Sequence, residues 1–268
     1  GMINEMLSRA FYQRILDDDP ARATHELGIF GANYRLAILI TIFIQMFKMA
    51  AEPFFFSLSK NEGAQRTYAR VMKFFVIACC FMFLAIALFM NVWKILIASK
   101  YPQYAEGLNI VPILALGNIF LGIYYNLSVW YKLTNRNMVG AYVTIAGAVI
   151  TIVLNFALVP WLRYTGAAWA TFVCYAFMMV ISYKQGQKYY PIPYATKKLV
   201  TYLTIVSLMY IIHELIIRNI NASAGYYNWV YYGTSLLFVG LFTALILKVE
   251  KNELVNMPVI GKYVARFV

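Results

Sequence analysis

The polar side chains best placed to do chemistry lie in one apolar run, Gly28 to Phe56. Five of them recur at spacings of seven, four, three and four: Tyr34, Thr41, Gln45, Lys48 and Glu52. At about 100° per residue these positions fall within roughly 60° of one another, which predicts one polar stripe along a helix. The run is long enough to cross a bilayer, which takes about 20 residues. Polar groups in a membrane usually face a bundle interior or a wet cavity, so the stripe predicts one wall of a transport path.

Two other interpretations of these residues stay open. Lys48 and Glu52 lie near the end of the run, where they would form a solvated pair at the membrane surface with Lys48 reaching outward. Arg35 lies about 100° from the stripe and would extend toward the opposite surface. Alternatively, the stripe contacts another helix. Pro53 predicts that the helix ends or kinks there.

The composition indicates a membrane protein. The 268 residues are 62% hydrophobic and only 13% charged, with a mean hydropathy of +0.64, whereas soluble domains carry about 25% charged residues. Long apolar runs predict an all-α, polytopic transmembrane helix bundle rather than a barrel. The net charge of +12 is placed in short loops between spans, which argues against nucleic acid as a partner and for the positive-inside rule.

Seven spans are predicted. They cover about residues 29–51, 72–98, 107–130, 138–159, 166–183, 199–217 and 229–247, with residues 52–72 as a connector, Lys132 in a polar turn and Pro160 stopping the fourth span. Fifteen Lys and Arg fall on one side and eight on the other, which places the C-terminus in the cytoplasm and residues 1–27 outside. Such an N-terminus, without a signal peptide, is expected if an odd number of spans precedes this sequence.

Other polar and small residues within the spans have a packing interpretation beside any functional one. Two faces of small residues are expected to let helices approach closely, namely Gly140, Thr144, Gly147 and Thr151, and Gly166, Ala170 and Cys174. The cysteines at 79, 80 and 174 fit apolar packing. Asn118 and Asn126 would hydrogen-bond either sugars or a neighbouring helix. His213 and Glu214 would either sense protons or, as we prefer, lie in the headgroup region.

Two segments carry a family resemblance. The first, GIFGANYRLA, is followed by AEPFFF at residues 51–56, and the second is GAVITIVLNFALVPWLRYTGAAWATFVCY. In the second, an Asn near a helix end, a Pro and a small-residue start of the next helix stand at Asn155, Pro160, Gly166, Ala167, Ala168, Ala170 and Thr171. Over roughly residues 28–200 the chain resembles the polysaccharide-biosynthesis branch of the multidrug/oligosaccharidyl-lipid/polysaccharide exporter superfamily.

The resemblance implies a fold and a domain organisation. Members are usually two-lobed flippases of twelve or fourteen spans, so this chain would supply the C-terminal lobe. Residues 1–27 would hold the end of a truncated preceding helix and a periplasmic segment, residues 28–200 five lobe spans, and residues 201–268 two extra spans and a cytoplasmic tail. Many relatives end that preceding helix with Asp-Arg, where this chain has Ser8-Arg9.

The resemblance also implies a function, namely export of undecaprenyl-pyrophosphate-linked oligosaccharide across the bacterial inner membrane for lipopolysaccharide, capsule or other surface polysaccharide. Partners would be the lipid-linked oligosaccharide, membrane lipid and glycan polymerase or export proteins. Arg35 and Lys48 suit the pyrophosphate as charge partners. The full candidate substrate-binding set is Arg35, Thr41, Gln45, Lys48, Glu52, Asn118 and Asn126.

Three other classes are weighed against flipping. A drug/cation antiporter of the same superfamily would use a carboxylate in mid-span, and a non-transporting subunit of a glycan-export complex would need no site. A glycosyltransferase or polymerase would have charged outer loops, yet the outer loops after residue 27 are short. We therefore expect no enzyme, no cofactor, no catalytic residues and no metal site.

Overall fold

The computed structural model describes residues 20–98, 102–220 and 225–255, and within these ranges it contains helices and turns but no strand. In chain order the helices are α1 (Pro20–Leu58), α2 (Ala64–Ala87), α3 (Met90–Ala98), a 3-10 helix (Pro102–Ile110), α4 (Val111–Leu127), α5 (Val129–Leu133), α6 (Asn137–Tyr189), α7 (Thr196–Arg218), α8 (Tyr227–Val249) and α9 (Lys251–Val255). Six helical stretches of the described chain are long and apolar enough to cross a membrane. The predicted all-α, polytopic transmembrane bundle is confirmed.

Helix α6 contains two of the predicted spans. It is 53 residues long and is interrupted at Arg163, whose backbone has φ 52° and ψ −135°. A continuous helix of that length would extend for about 80 Å, far beyond the thickness of a bilayer. The positive φ at Arg163 instead ends one arm and starts a second, so α6 is a helical hairpin with 26 residues on each side of the break.

Small residues hold the two arms of this hairpin together. A Cβ on Gly166 would lie 2.6 Å from the carbonyl oxygen of Leu158, so the second arm begins against the backbone of the first. Further along, the Cys174 thiol donates to the carbonyl oxygen of Gly147, with an Sγ–O distance of 3.2 Å. The two predicted small-residue faces therefore pack against each other, as expected for residues that allow close helix approach.

Both prolines that were expected to end helices lie inside them. Helix α1 continues through Pro53 to Leu58, so the predicted connector of residues 52–72 is reduced to residues 59–63. Pro53 is exposed, and membrane helices tolerate proline where neighbouring groups satisfy the freed carbonyl. The first arm of α6 likewise continues past Pro160, and its break falls at Arg163. Proline removes one hydrogen bond, whereas the positive φ redirects the chain.

Helix α4 forms the centre of the larger part of the bundle. The span that contains it is Pro102–Leu133. In the apolar 18-residue stretch of this span 72% is buried, against 17% and 22% for the corresponding stretches of α7 and α8. It packs mainly against α6 and α1. Because Gly122 has no side chain, Ile44 of α1 and Phe75 of α2 approach α4 so closely that a Cβ would lie 2.9 Å and 2.8 Å from them.

The chain divides into two compact units, residues 1–199 and 200–268. In the second unit, His213 of α7 is buried and its Nε2 lies 3.0 Å from the Ser235 hydroxyl of α8. His213 thus contacts a neighbouring helix, and its position in the headgroup region stays a prediction. Glu250 is buried as well and accepts a hydrogen bond from the Tyr202 hydroxyl at 2.6 Å. Residues 1–19 of the predicted N-terminal segment and residues 256–268 of the predicted cytoplasmic tail lie outside the described residues, and the assignment of domains to a flippase stays a prediction.

Candidate functional site

A cleft of about 300 Å³ lies between α1, α4 and α5. Its lining combines apolar residues with charged and polar ones. Its lining consists of Ile44, Phe47, Lys48, Ala51, Glu52 and Phe55 from α1, Gly122, Tyr125 and Asn126 from α4, and Val129 and Lys132 from α5. The predicted site residues Lys48, Glu52 and Asn126 are therefore brought together by the fold.

An ion pair closes one side of the cleft. Lys132 of α5 donates to a carboxylate oxygen of Glu52 of α1, and both side chains are about one-third exposed. The two residues are 80 positions apart in sequence, so the pair joins two distant helices. It also occupies Glu52, which would otherwise be the natural partner of Lys48 one helical turn away.

Lys48 is consequently left without a carboxylate partner in the described part of the chain. Its ammonium nitrogen lies 4.6 Å from the centroid of the Tyr125 ring, a cation–π contact that holds the charge over an aromatic face. The cleft thus contains two lysines and one glutamate. Its net charge is positive, and it is suited to an anionic group, since charge-assisted hydrogen bonds are strong.

Neutral hydrogen-bonding groups surround these charges. Gln45 lies within hydrogen-bonding reach of the Tyr125 hydroxyl. Asn126 lines the cleft and also a smaller neighbouring cleft of about 210 Å³, with Phe55 and Val129 as the other shared walls. The amide of Asn126 donates only a long hydrogen bond, 3.4 Å, to the Gly122 carbonyl. It therefore retains capacity to bind a hydroxyl-bearing ligand.

Four predicted site residues do not line the cleft, and one of them is Gln45, which is exposed on α1 near Tyr125. Arg35 is exposed on α1, and thirteen residues of helix separate it from Lys48, a rise of about 20 Å. Thr41 is half-buried and does not line the cleft. Asn118 is buried in α4 and donates to the Ala37 carbonyl of α1 at 2.9 Å, which is the interhelical hydrogen bond held open as its alternative role. The structure groups only the C-terminal half of the stripe into one site.

Sequence analysis does not identify two of the polar cleft residues as site residues. Lys132 falls in a polar turn, and Tyr125 is one of many aromatic residues in its span. No pattern within one helix pairs Lys132 with Glu52, because helical periodicity describes a single element. The charges in the sequence do offer a signal for Lys132. If Lys48 and Glu52 paired only with each other, Lys132 would be left without a partner beside an apolar span.

The fold and the cleft together define a polytopic, α-helical membrane protein with an electropositive cleft between three helices. Among the described residues, no group of three or more His, Cys, Asp or Glu side chains is placed to hold a metal ion. Comparisons with protein-family models, curated proteins and solved structures found no match.

Proposed function

We propose that this protein takes part in moving a polyprenyl-pyrophosphate-linked oligosaccharide across the bacterial inner membrane, and that the cleft binds its pyrophosphate. The observation that carries the proposal is the ammonium group of Lys48, which has no carboxylate partner among the described residues and lies beside the Glu52–Lys132 ion pair. The family resemblance of residues 28–200 supplies the substrate class.

The chemistry of the cleft fits the polar head of such a lipid. Lys48 is available at once for a phosphate oxygen, and Lys132 becomes available if it exchanges Glu52 for the ligand. Asn126 provides an amide group for a sugar hydroxyl, and the Tyr125 ring provides an apolar face. The cleft would hold the pyrophosphate alone, with the glycan extending outward and the polyprenyl chain staying in lipid.

The positive-inside count supports an orientation. Lys48 and Lys132 belong to the more basic side of the chain, which we assign to the cytoplasm. The cleft would then face the compartment in which lipid-linked glycans are built, and the C-terminus would lie on the same side. Release on the opposite side requires a second lobe that rocks against this one, together with the glycan polymerase or export proteins that take the product.

The antiporter and the non-transporting subunit remain the competing functions. A drug/cation antiporter needs a carboxylate that is free to bind a cation, whereas Glu52 is paired with Lys132 and faces a second lysine. The charge balance therefore favours an anionic ligand. A non-transporting subunit would have no need of a lysine without a carboxylate partner in a membrane cleft, where it is costly to keep.

Ligand binding by the purified full chain in detergent micelles distinguishes these functions. We expect an undecaprenyl-pyrophosphate-linked oligosaccharide to bind at least about tenfold more tightly than undecaprenol, because only the former carries phosphate. Native mass spectrometry reports the bound fraction of each. Equal binding of both lipids, or binding of tetraphenylphosphonium and of neither lipid, would overturn the proposal, and the latter result would favour the antiporter.

A further inference from the structure

A second cationic group lies at the open ends of the α6 hairpin, outside the cleft. The guanidinium carbon of Arg136 lies 4.0 Å from the centroid of the Tyr189 ring, and the ammonium nitrogen of Lys188 lies 5.5 Å from the same centroid. The two charges are therefore at most about 9.5 Å apart, which is the sum of these two distances. In the described ranges neither cation has an acidic partner.

The Tyr189 ring, which both cations approach, is held by a second aromatic ring. Trp130 stacks on Tyr189 with 5.7 Å between ring centroids and 21° between the planes. Trp130 itself is buried and lies so close to Gly186 that a Cβ there would be 3.0 Å from its ring. Stacking on a ring also leaves the N–H edge of a guanidinium free to donate. Arg136 is thus oriented in advance while its hydrogen-bonding capacity remains available.

The depth of this group in the membrane follows from the hairpin. Each arm has 26 residues and would extend for about 39 Å. A bilayer including its headgroup layers is about 40–45 Å thick. At the tip of the hairpin, Trp161 has 86% of its surface exposed, as expected for a residue in an interfacial aromatic belt. With the tip at one interface, Arg136 and Tyr189 lie in the headgroup layer of the other leaflet.

We propose that Arg136 and Lys188, held on Tyr189, bind the phosphate of an anionic phospholipid headgroup. Phosphate takes hydrogen bonds from the fork of a guanidinium, and a second cation at this separation meets its remaining oxygens or the next phosphate. Basic pockets between helices on the cytoplasmic side of a membrane are the usual sites for such lipids. The positive-inside count places these residues on that side.

A membrane lipid is the preferred source of this phosphate for two reasons. The group lies at headgroup depth, where lipid phosphate is always present at high local concentration. In addition, the lining of the cleft contains none of Arg136, Lys188 and Tyr189. The lipid site is thus separate from the cleft that we propose for pyrophosphate, and it does not depend on the function proposed for Lys48.

The test uses the delipidated full chain in neutral detergent and short-chain phosphatidylglycerol or phosphatidylcholine as probes. We expect R136Q/K188Q to weaken phosphatidylglycerol binding about 30-fold, since each cation near a membrane surface contributes about fivefold, and to weaken phosphatidylcholine binding much less, because its choline group offsets the phosphate charge. K60Q/R66Q is the matched control, because Lys60 in the connection between α1 and α2 and Arg66 in the first turn of α2 are exposed cations. That variant should bind phosphatidylglycerol as wild type does.

Further variants separate a folding defect from loss of the site. Y189F keeps the ring and should retain binding, whereas Y189L removes it and should weaken binding to a similar degree as loss of one cation. Wild-type affinity in R136Q/K188Q would overturn the proposal, and so would an equal loss in K60Q/R66Q, which would indicate general surface charge. Displacement of phosphatidylglycerol by sodium pyrophosphate at matched ionic strength would replace the lipid by a soluble phosphate and would also overturn it.

Discussion

Replacement of Gly166 by leucine is expected to lower the free energy of unfolding in detergent by about 3 kcal/mol, the upper end of the usual cost of overpacking. A Cβ at this position would lie 2.6 Å from the Leu158 carbonyl oxygen and 2.7 Å from its carbon. These are backbone atoms near the tip of the hairpin, so no side-chain rotation relieves the overlap. Unfolding in sodium dodecyl sulfate, followed by circular dichroism, measures the loss.

The same substitution at Gly240 provides the control. Gly240 lies in α8, and a Cβ at this position would meet no atom within 4 Å. Gly240→Leu should therefore be neutral or slightly stabilising, because leucine has the higher helix propensity. Unfolding of both leucine variants at the same detergent concentration would contradict the close approach of the two hairpin arms at Gly166.

Charge reversal at Lys48 is expected to have the largest effect on ligand binding. Lys48→Glu removes the cation that is free for the ligand and places a second carboxylate beside Glu52, so that one lysine, Lys132, faces two acids. The affinity for an undecaprenyl-pyrophosphate-linked oligosaccharide should fall about 100-fold, which corresponds to about 3 kcal/mol. Native mass spectrometry of the variant in neutral detergent gives the bound fraction.

Lys60→Glu is the matched variant for this measurement, since Lys60 is an exposed lysine outside the cleft. It changes the net charge of the chain by the same amount and should leave binding unaltered. A parallel loss in the two variants would mean that the total charge of the protein, and not the cleft, governs binding.

Composition and periodicity are sufficient to predict the fold class. Seven apolar segments separated by charged turns specify a helical membrane bundle, because lipid leaves few other ways to satisfy the backbone. The predicted boundaries are less accurate where proline is taken as the end of a helix. At Pro53 and Pro160 the helix continues, since the cost of one lost hydrogen bond is smaller than the gain from neighbouring helices. The positive φ of Arg163, which makes the turn, has no clear signature in the sequence.

The candidate site is predictable only in part. The spacing of Lys48 and Glu52 places them on one face of α1, which follows from helical geometry alone. Their contrasting roles depend on Lys132, which is brought to Glu52 by the packing of α4 and α5 against α1. The residues that carry the family resemblance in α6, among them Ala167, Ala168 and Thr171, are buried packing residues. Their smallness reflects the hairpin and indicates nothing about a ligand.

Thiol labelling tests the electropositive cleft most directly. Ala51 lines the cleft, and the cysteines at 79, 80 and 174 are buried, so Ala51→Cys introduces a thiol whose reaction stands out from the background. Relative to a free thiol in solution, an anionic thiosulfonate reagent should label it at least about fivefold faster than a cationic one, and Lys48→Gln should remove this preference. Equal relative rates for the two reagents, with Lys48 present, would contradict the account.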